Sequence, residues 1–321
     1  MGQGIWYYLY KLYKLYKEKG KKKRIRIAGC GGSKARINQK QRIKEGGRKM
    51  IDKIYVMNEA QSIFSVLNAE EFPETHEYLT DIFSEEDLEE TPYEIACALL
   101  DCDKPAELPD FLIDFITELF EMEIEEGNDD AMNALGAMHY DGRRGFEQDF
   151  EKAVYYYDLA AANGNRQAQE NLGYCYYYGR TGAPDYEKAF IYFALGAFDG
   201  HLISLYKIGD MYLNGYYVKK NVKEAFYIYT RCLETMTDEA AQSVAGPVFL
   251  RLGKMHLYGI GTEQNLMGAL ACYQRAEFFL FNMVKEGDYK YKKSLLAAVA
   301  GQQKVREMLA AELPTENRTF E

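Results

Sequence analysis

The sequence has little of what a membrane-spanning protein, a disulfide framework or a metal centre requires. No apolar run approaches the roughly 18 to 20 residues that cross a bilayer, which argues against a membrane span. Six cysteines, Cys30, Cys97, Cys102, Cys175, Cys232 and Cys272, are scattered without zinc spacings or a dense pairing pattern. Free thiols in a reducing, cytoplasmic compartment are therefore expected. Only four histidines occur, His76, His139, His201 and His256. His76 and His201 have no metal-ligand partner at a recognisable spacing, so no metal and no cofactor is implied.

What is present is apolar and aromatic. A chain of 321 residues that is 47% hydrophobic and 14% aromatic has ample material for a core, which excludes collagenous and wholly disordered classes. The formal charge of −10 hides three blocks. Residues 1–49 carry 16 bases and 2 acids, a net of +14. Residues 50–126 carry 2 bases and 23 acids, a net of −21, and residues 127–321 carry 21 and 24, a net of −3. Such asymmetry marks segments of different kinds.

The basic block lacks an amphipathic period and reads as disordered. Its charges follow the short apolar stretch Ile5 to Tyr10, the reverse of a secretory signal, and Trp6 stands where myristoylation wants Ser or Thr. Gly29 to Lys34 fails as a phosphate loop, because Ser33 precedes the Lys and Ala35 follows it. Glu45 to Met50 can be encoded by a purine-rich stretch resembling a bacterial ribosome-binding site ahead of a start codon. Residues 1–49 are then a translated leader and Met50 the first residue. The competing reading is a basic tail that holds nucleic acid or an anionic surface by counterion release.

The acidic block, residues 50–126, reads as a helical N-terminal cap. Thr91-Pro92-Tyr93-Glu94 combines a capping box with proline at the first helical position, opening a helix through about Leu100. Phe111, Leu112, Phe115, Ile116, Leu119 and Phe120 make a helical stripe ending before Gly127. The two helices read as a degenerate first repeat, and their acids as a solvated face.

Internal self-similarity appears when Leu135-Gly136, Leu172-Gly173, Ile208-Gly209 and Leu252-Gly253 are aligned. Five residues before each Gly stands Ala131, Ala168, Ser204 or Val248. Three after it stands His139, Tyr176, Tyr212 or His256, and six after it Gly142, Gly179, Gly215 or Gly259. Then come Asp149, Asp185, Asn221 or Asn265, each positioned to cap a helix N-terminus. Ala153-Tyr157-Ala160, Ala189-Phe193-Gly196, Ala225-Tyr229-Cys232 and Ala269-Tyr273-Ala276 follow at i, i+4, i+7. Small residues there let helices approach, and the ring fills the hollow between them. The glycine six places on permits the left-handed turn that ends the first helix. Each unit is thus helix A, loop, helix B, turn. Pro184 precedes a cap and Pro247 opens a first helix. The eight extra residues before the fourth copy lengthen one pair by about two turns. Residues 288–321 supply a closing helix and a tail.

The pattern A-x3-L-G-x2-Y-x2-G, then D-x2-K-A-x3-Y-x2-A, resembles the Sel1-like repeat (SLR) family, relatives of the tetratricopeptide repeat, over residues 127–287. The departures are His139 and His256 at the Tyr place, Gly268 at the Lys place, Glu277 at a small place, and a missing turn Gly in the third copy. The resemblance implies an all-α, right-handed αα-hairpin superhelix (a solenoid) with helical caps. It also implies an adaptor that holds other proteins, with helix A lining the groove. On helical phase the groove residues are then Tyr174, Tyr178, Asp210, Asn214, Lys254 and Tyr258, with Ala137 and Asp141 equivalent in the first copy.

Tyrosine supports such a surface. Twenty of the 28 tyrosines lie from Tyr140 to Tyr291, and Tyr155 to Tyr157 or Tyr176 to Tyr178 cannot all point inward from one helix. Tyrosine is enriched where proteins meet. The plain alternative is loose packing of rings with no partner. A hydrolase built on His139 or His256 is the lesser reading, since Tyr176 and Tyr212 fill the same place structurally. The expected function is noncatalytic binding of a protein or peptide.

Overall fold

The computed structural model describes residues 45–84, 90–104 and 106–312. Among these are thirteen α-helices, one short 3-10 helix and no strand. They form two compact units, residues 45–175 with 180–182, and residues 176–179 with 183–312. The disorder and leader readings of the basic segment lie outside the described residues, except that 45–49 begin the first helix.

The first unit holds α1 (Glu45–Val66), α2 (Pro73–Ser84), α3 (Pro92–Asp101), α4 (Asp110–Glu125), α5 (Asp129–Asp141) and α6 (Phe150–Asn163). Helix α7 (Arg166–Tyr178) runs from this unit into the next. Both arms of the expected capping box form at α3: the Thr91 side chain accepts from Glu94 N, and Glu94 Oε2 accepts from Thr91 N at 2.8 Å. Along α4 the stripe Leu112, Phe115, Ile116, Leu119 and Phe120 is buried while Phe111 is exposed. That stripe packs into one core with Leu99 of α3 and with Ala131 and Leu135 of α5.

A clasp that the sequence does not advertise ties the loop after α3 to the first repeat. Arg144, buried and in the left-handed region at φ 61°, donates to the carbonyls of Cys102 (2.6 Å), Asp103 (3.0 Å) and Ala106. The Asp103 carboxylate in turn accepts from the N–H groups of Glu74 and Thr75, at 3.0 and 2.9 Å, at the start of α2. These contacts satisfy carbonyls and amides that no helix pairs internally.

The second unit holds α8 (Tyr186–Phe198), α9 (Leu202–Asn214), α10 (Val222–Glu234), α11 (Asp238–Tyr258), α12 (Leu266–Lys285) and, after a 3-10 turn at Tyr289–Tyr291, α13 (Lys292–Glu312). Consecutive helices pair as hairpins, and α13 packs on both α12 and α11.

The four copies repeat their local chemistry. Every helix B carries its expected side-chain cap, from Asp149, Asp185, Asn221 and Asn265. The N–H of each capping residue also donates to the carbonyl at the Tyr/His place of helix A: His139, Tyr176, Tyr212 and His256, at 2.8, 2.9, 2.9 and 2.9 Å. Gly142, Gly179, Gly215 and Gly259 all take positive φ, from 59° to 80°. Close approach explains the other glycine. A Cβ on Gly136, Gly209 or Gly253 would sit 2.8, 2.7 or 2.9 Å from the ring of Tyr157, Tyr229 or Tyr273. A Cβ on Gly301 of α13 would meet the same Tyr273 ring at its Cζ, 2.5 Å away. Helix α13 therefore covers the last helix B as another helix A would.

One expectation fails at Pro247. It does not open a helix but lies inside α11, which starts at Asp238. An interior proline removes an N–H and costs about 3 kcal/mol. The lengthened α11 and α12, 21 and 20 residues long, bury Val244, Ala245, Val248, Phe249, Leu252 and Met255. At roughly 1.5–3 kcal/mol for each fully buried large aliphatic or aromatic side chain, that burial outweighs the missing bond.

Candidate binding face of the repeat helices

Helical phase puts the residues two before, one after and five after the Gly on one side of helix A, where Lys207 is only 5% exposed. Tyr174 is half-buried, and Tyr178 is 49% exposed. Asn214, Lys254 and Tyr258 are exposed, as is Asp141, whereas Ala137 is half-buried.

Asp210 departs from the expectation. It is 6% exposed, because Arg251 of the next helix A closes over it: Nε donates to Oδ1, and Nη2 to Oδ2 at 2.6 Å. The Tyr229 hydroxyl donates to Oδ1 at 2.6 Å from below, and Lys207 Nζ lies 3.9 Å from Oδ2. Burial alone raises a carboxyl pKa, but the Arg251 guanidinium, then the Lys207 ammonium and the Tyr229 hydroxyl, outweigh it and hold Asp210 below its usual range. Tyr229 is pushed up, by burial first and then by the neighbouring carboxylate.

Aromatic rings surround these charges. Lys207 Nζ lies 5.1, 5.3 and 5.5 Å from the ring centres of Tyr177, Tyr178 and Tyr206, and reaches the Tyr178 hydroxyl at 3.2 Å. Arg251 lies over Tyr206 at 4.9 Å. Attraction between a cation and a ring face contributes about 0.5–2 kcal/mol, the larger figure where water is excluded. Lys207 and Arg251 were absent from the sequence expectation. The readable signal was their shared place two residues before the glycine, with Lys207 three before Asp210 on one helix.

The tyrosine triplets divide as geometry demands: Tyr157 is buried while Tyr155 is 45% exposed. Other rings pack on each other at the A–B loop, where Tyr186 stacks on Tyr216 at 4.2 Å and Tyr177 meets Tyr216 at 5.9 Å.

The two interior histidines occupy packing places. The His139 ring stacks on Tyr156 at 5.9 Å and 5°, nearly the geometry of Tyr176 on Tyr192 one copy later, 5.8 Å and 5°. His256 meets Phe226 edge-on at 5.3 Å. Burial lowers the pKa of both. Two open hollows sit at the A–B loops of the third and fourth copies. One of about 650 Å³ is lined by Tyr212, Lys219 and Asn221, and one of about 530 Å³ by His256, Glu263 and Asn265. They are the same repeat place, 44 residues apart. Among the described residues no cluster of three or more His, Cys, Asp or Glu could hold a metal ion, and no described helix is long and apolar enough to cross a membrane.

Comparison with known proteins agrees with this geometry. The Sel1 repeat family model matches residues 129–165, 166–201, 202–231 and 250–277. Its gap at 232–249 spans the turn and the added start of α11. Among curated proteins, the ERAD-associated E3 ubiquitin-protein ligase component HRD3B of Arabidopsis thaliana is 33% identical over 109 residues, 34% of this chain and 17% of that protein. The chain thus spans about a sixth of that relative's length. Among solved structures, c5321, a protective antigen of uropathogenic Escherichia coli displaying an SLR fold, is similar with a TM-score of 0.50 and 20% identity, covering 84% of this chain and 58% of that one. A Sel1 repeat protein from Oxalobacter formigenes gives 0.50 and 17%, covering 80% and 100%. The fold class is the all-α, αα-hairpin solenoid of these SLR proteins.

Proposed function

We propose that this chain, a Sel1 repeat protein through its four copies, is a noncatalytic scaffold that binds a protein or peptide along the helix A face. The observation that carries the reading is the row of ordered side chains there. Exposed Tyr178 and Tyr258 stand beside Asn214, Lys254 and the Lys207–Asp210–Arg251 group. Rings and a charge pair already held in place lose little rotamer entropy when a partner docks. The HRD3B likeness, limited to about a third of the chain, is to a component of an assembly and favours the same class. Residues 50–126 act as the cap that covers the first hairpin's apolar face, as terminal units of repeat arrays do. The cysteines described, Cys97, Cys102, Cys175, Cys232 and Cys272, are free thiols, which suits a cytoplasmic setting.

The test is affinity capture with the full chain and with a Tyr178→Ala/Tyr258→Ala variant of unchanged helicity. Partners that bind through the face are lost from the variant. Identical partners on both remove the face from the proposal. Capture that persists in the variant but collapses steeply with salt transfers the role to the basic residues 1–49.

A further inference from the structure

We infer that the helix A face of the second unit takes a carboxylate-rich peptide segment, a step that rests on the binding reading above. The chain carries a net charge of −10, so long-range attraction disfavours an acidic partner. The outward places of α9 and α11 run the other way. Two before, one after and five after the Gly stand Lys207, Asp210 and Asn214 in one helix and Arg251, Lys254 and Tyr258 in the next. Lys207 is 5% exposed and, like Asp210, is spent internally, which leaves Arg251 and Lys254 as the bases that keep surface on this side, with no exposed acid among the six.

Asp210 serves to hold Arg251. Its two oxygens take Nε and Nη2, and the Pro247 carbonyl takes Nη1 at 2.8 Å. An arginine has five N–H groups, and with the Tyr229 hydroxyl also bonded to the guanidinium no more than two remain, on a side chain 24% exposed. The guanidinium plane is fixed against Tyr206, and Lys254 stands exposed one turn further along the same helix. A fixed guanidinium edge, a mobile ammonium beside it, and flanking Tyr178 and Tyr258 fit a segment that alternates carboxylates with apolar side chains. Carboxylate recognition by a guanidinium is charge-assisted and directional. The first copy has Ala134, Ala137 and Asp141 at the equivalent places, so this chemistry belongs to the later copies.

The experiment uses the full chain and three fluorescein-labelled peptides of one length, sharing Leu and Tyr positions and differing only in Glu, Gln or Lys elsewhere. Anisotropy titrations at low and moderate salt read the affinities. The Glu peptide is expected to bind about tenfold or more tighter than the Gln peptide, with the Lys peptide weakest. Lys254→Glu, an exposed change that leaves the buried pair intact, should weaken the Glu peptide about fivefold or more and the Gln peptide by much less. Tyr178→Ala/Tyr258→Ala should weaken all three. Equal or tighter binding of the Gln or Lys peptide overturns the inference, as does Glu-peptide binding that ignores Lys254→Glu, which would place the attraction in the basic residues 1–49. In those cases, loss in the tyrosine variant still keeps the binding face. Indifference to the tyrosine variant removes both.

Discussion

The first and third copies are built alike and faced differently. Hairpin α5–α6 and hairpin α9–α10 share the glycine against a tyrosine ring, Gly136 on Tyr157 and Gly209 on Tyr229. They share the left-handed Gly142 and Gly215, and the caps Asp149 and Asn221. Outward, however, Ala134, Ala137 and Asp141 answer to Lys207, Asp210 and Asn214. Tyr229 spends its hydroxyl on the Asp210 carboxylate, and the first copy has Ala137 at the place of that carboxylate. The scaffold positions obey the geometry of close helix approach, and the face positions are released from it. Charged and polar side chains accumulate where that constraint is absent.

The largest expected effect breaks the comparison at the third copy. Asp210→Ala leaves Arg251 half-enclosed without its counter-ion and should lower stability by about 3–5 kcal/mol, whereas Ala137→Ser at the equivalent place of the first copy should change it by less than about 0.5 kcal/mol. Urea unfolding of both variants measures the contrast, and equal losses would show that the buried charge group adds nothing special. Next, Gly136→Ala and Gly209→Ala should each cost about 1–3 kcal/mol by overpacking against the tyrosine ring. Similar losses in the two copies support a shared scaffold, while a loss confined to one copy breaks it.

The smallest effect concerns pH. His139 and His256 have folded-state pKa values below the ordinary imidazole value of 6.5, mainly through burial. The unfolded chain takes up these protons more readily than the fold. Their contribution is therefore full above about 6.5 and is lost as pH falls from there toward the folded values. His139→Tyr/His256→Tyr, which installs the residue of Tyr176 and Tyr212, should lose less stability than the native chain between pH 7.5 and 5.5. Parallel losses in urea midpoint would sink that account.

Much of this architecture was legible because its signals are short-range. Thr91 and Glu94, Asp149, Asn221 and the positive-φ glycines act within one turn of their own position. Face residues were harder. Helical phase put Tyr178, Asn214, Lys254 and Tyr258 outward, and they are exposed. The same phase put Asp210 outward, and it is buried. Phase describes one helix and says nothing of what the neighbouring helix lays over it. Arg251 is 41 residues away in sequence, and Arg144 reaches 42 residues back to Cys102.

By itself, then, the order of residues determined the hairpin unit, its caps, its turns and its number of copies, since each follows from contacts between residues a few places apart and from a spacing that recurs. The tertiary structure alone decided that Asp210 is a buried anchor for a guanidinium, that Pro247 is carried inside a long helix, and that Arg144 clasps an earlier loop. Those outcomes depend on burial and charge pairing between segments distant in sequence, where the stabilisation comes from a partner that no local pattern names.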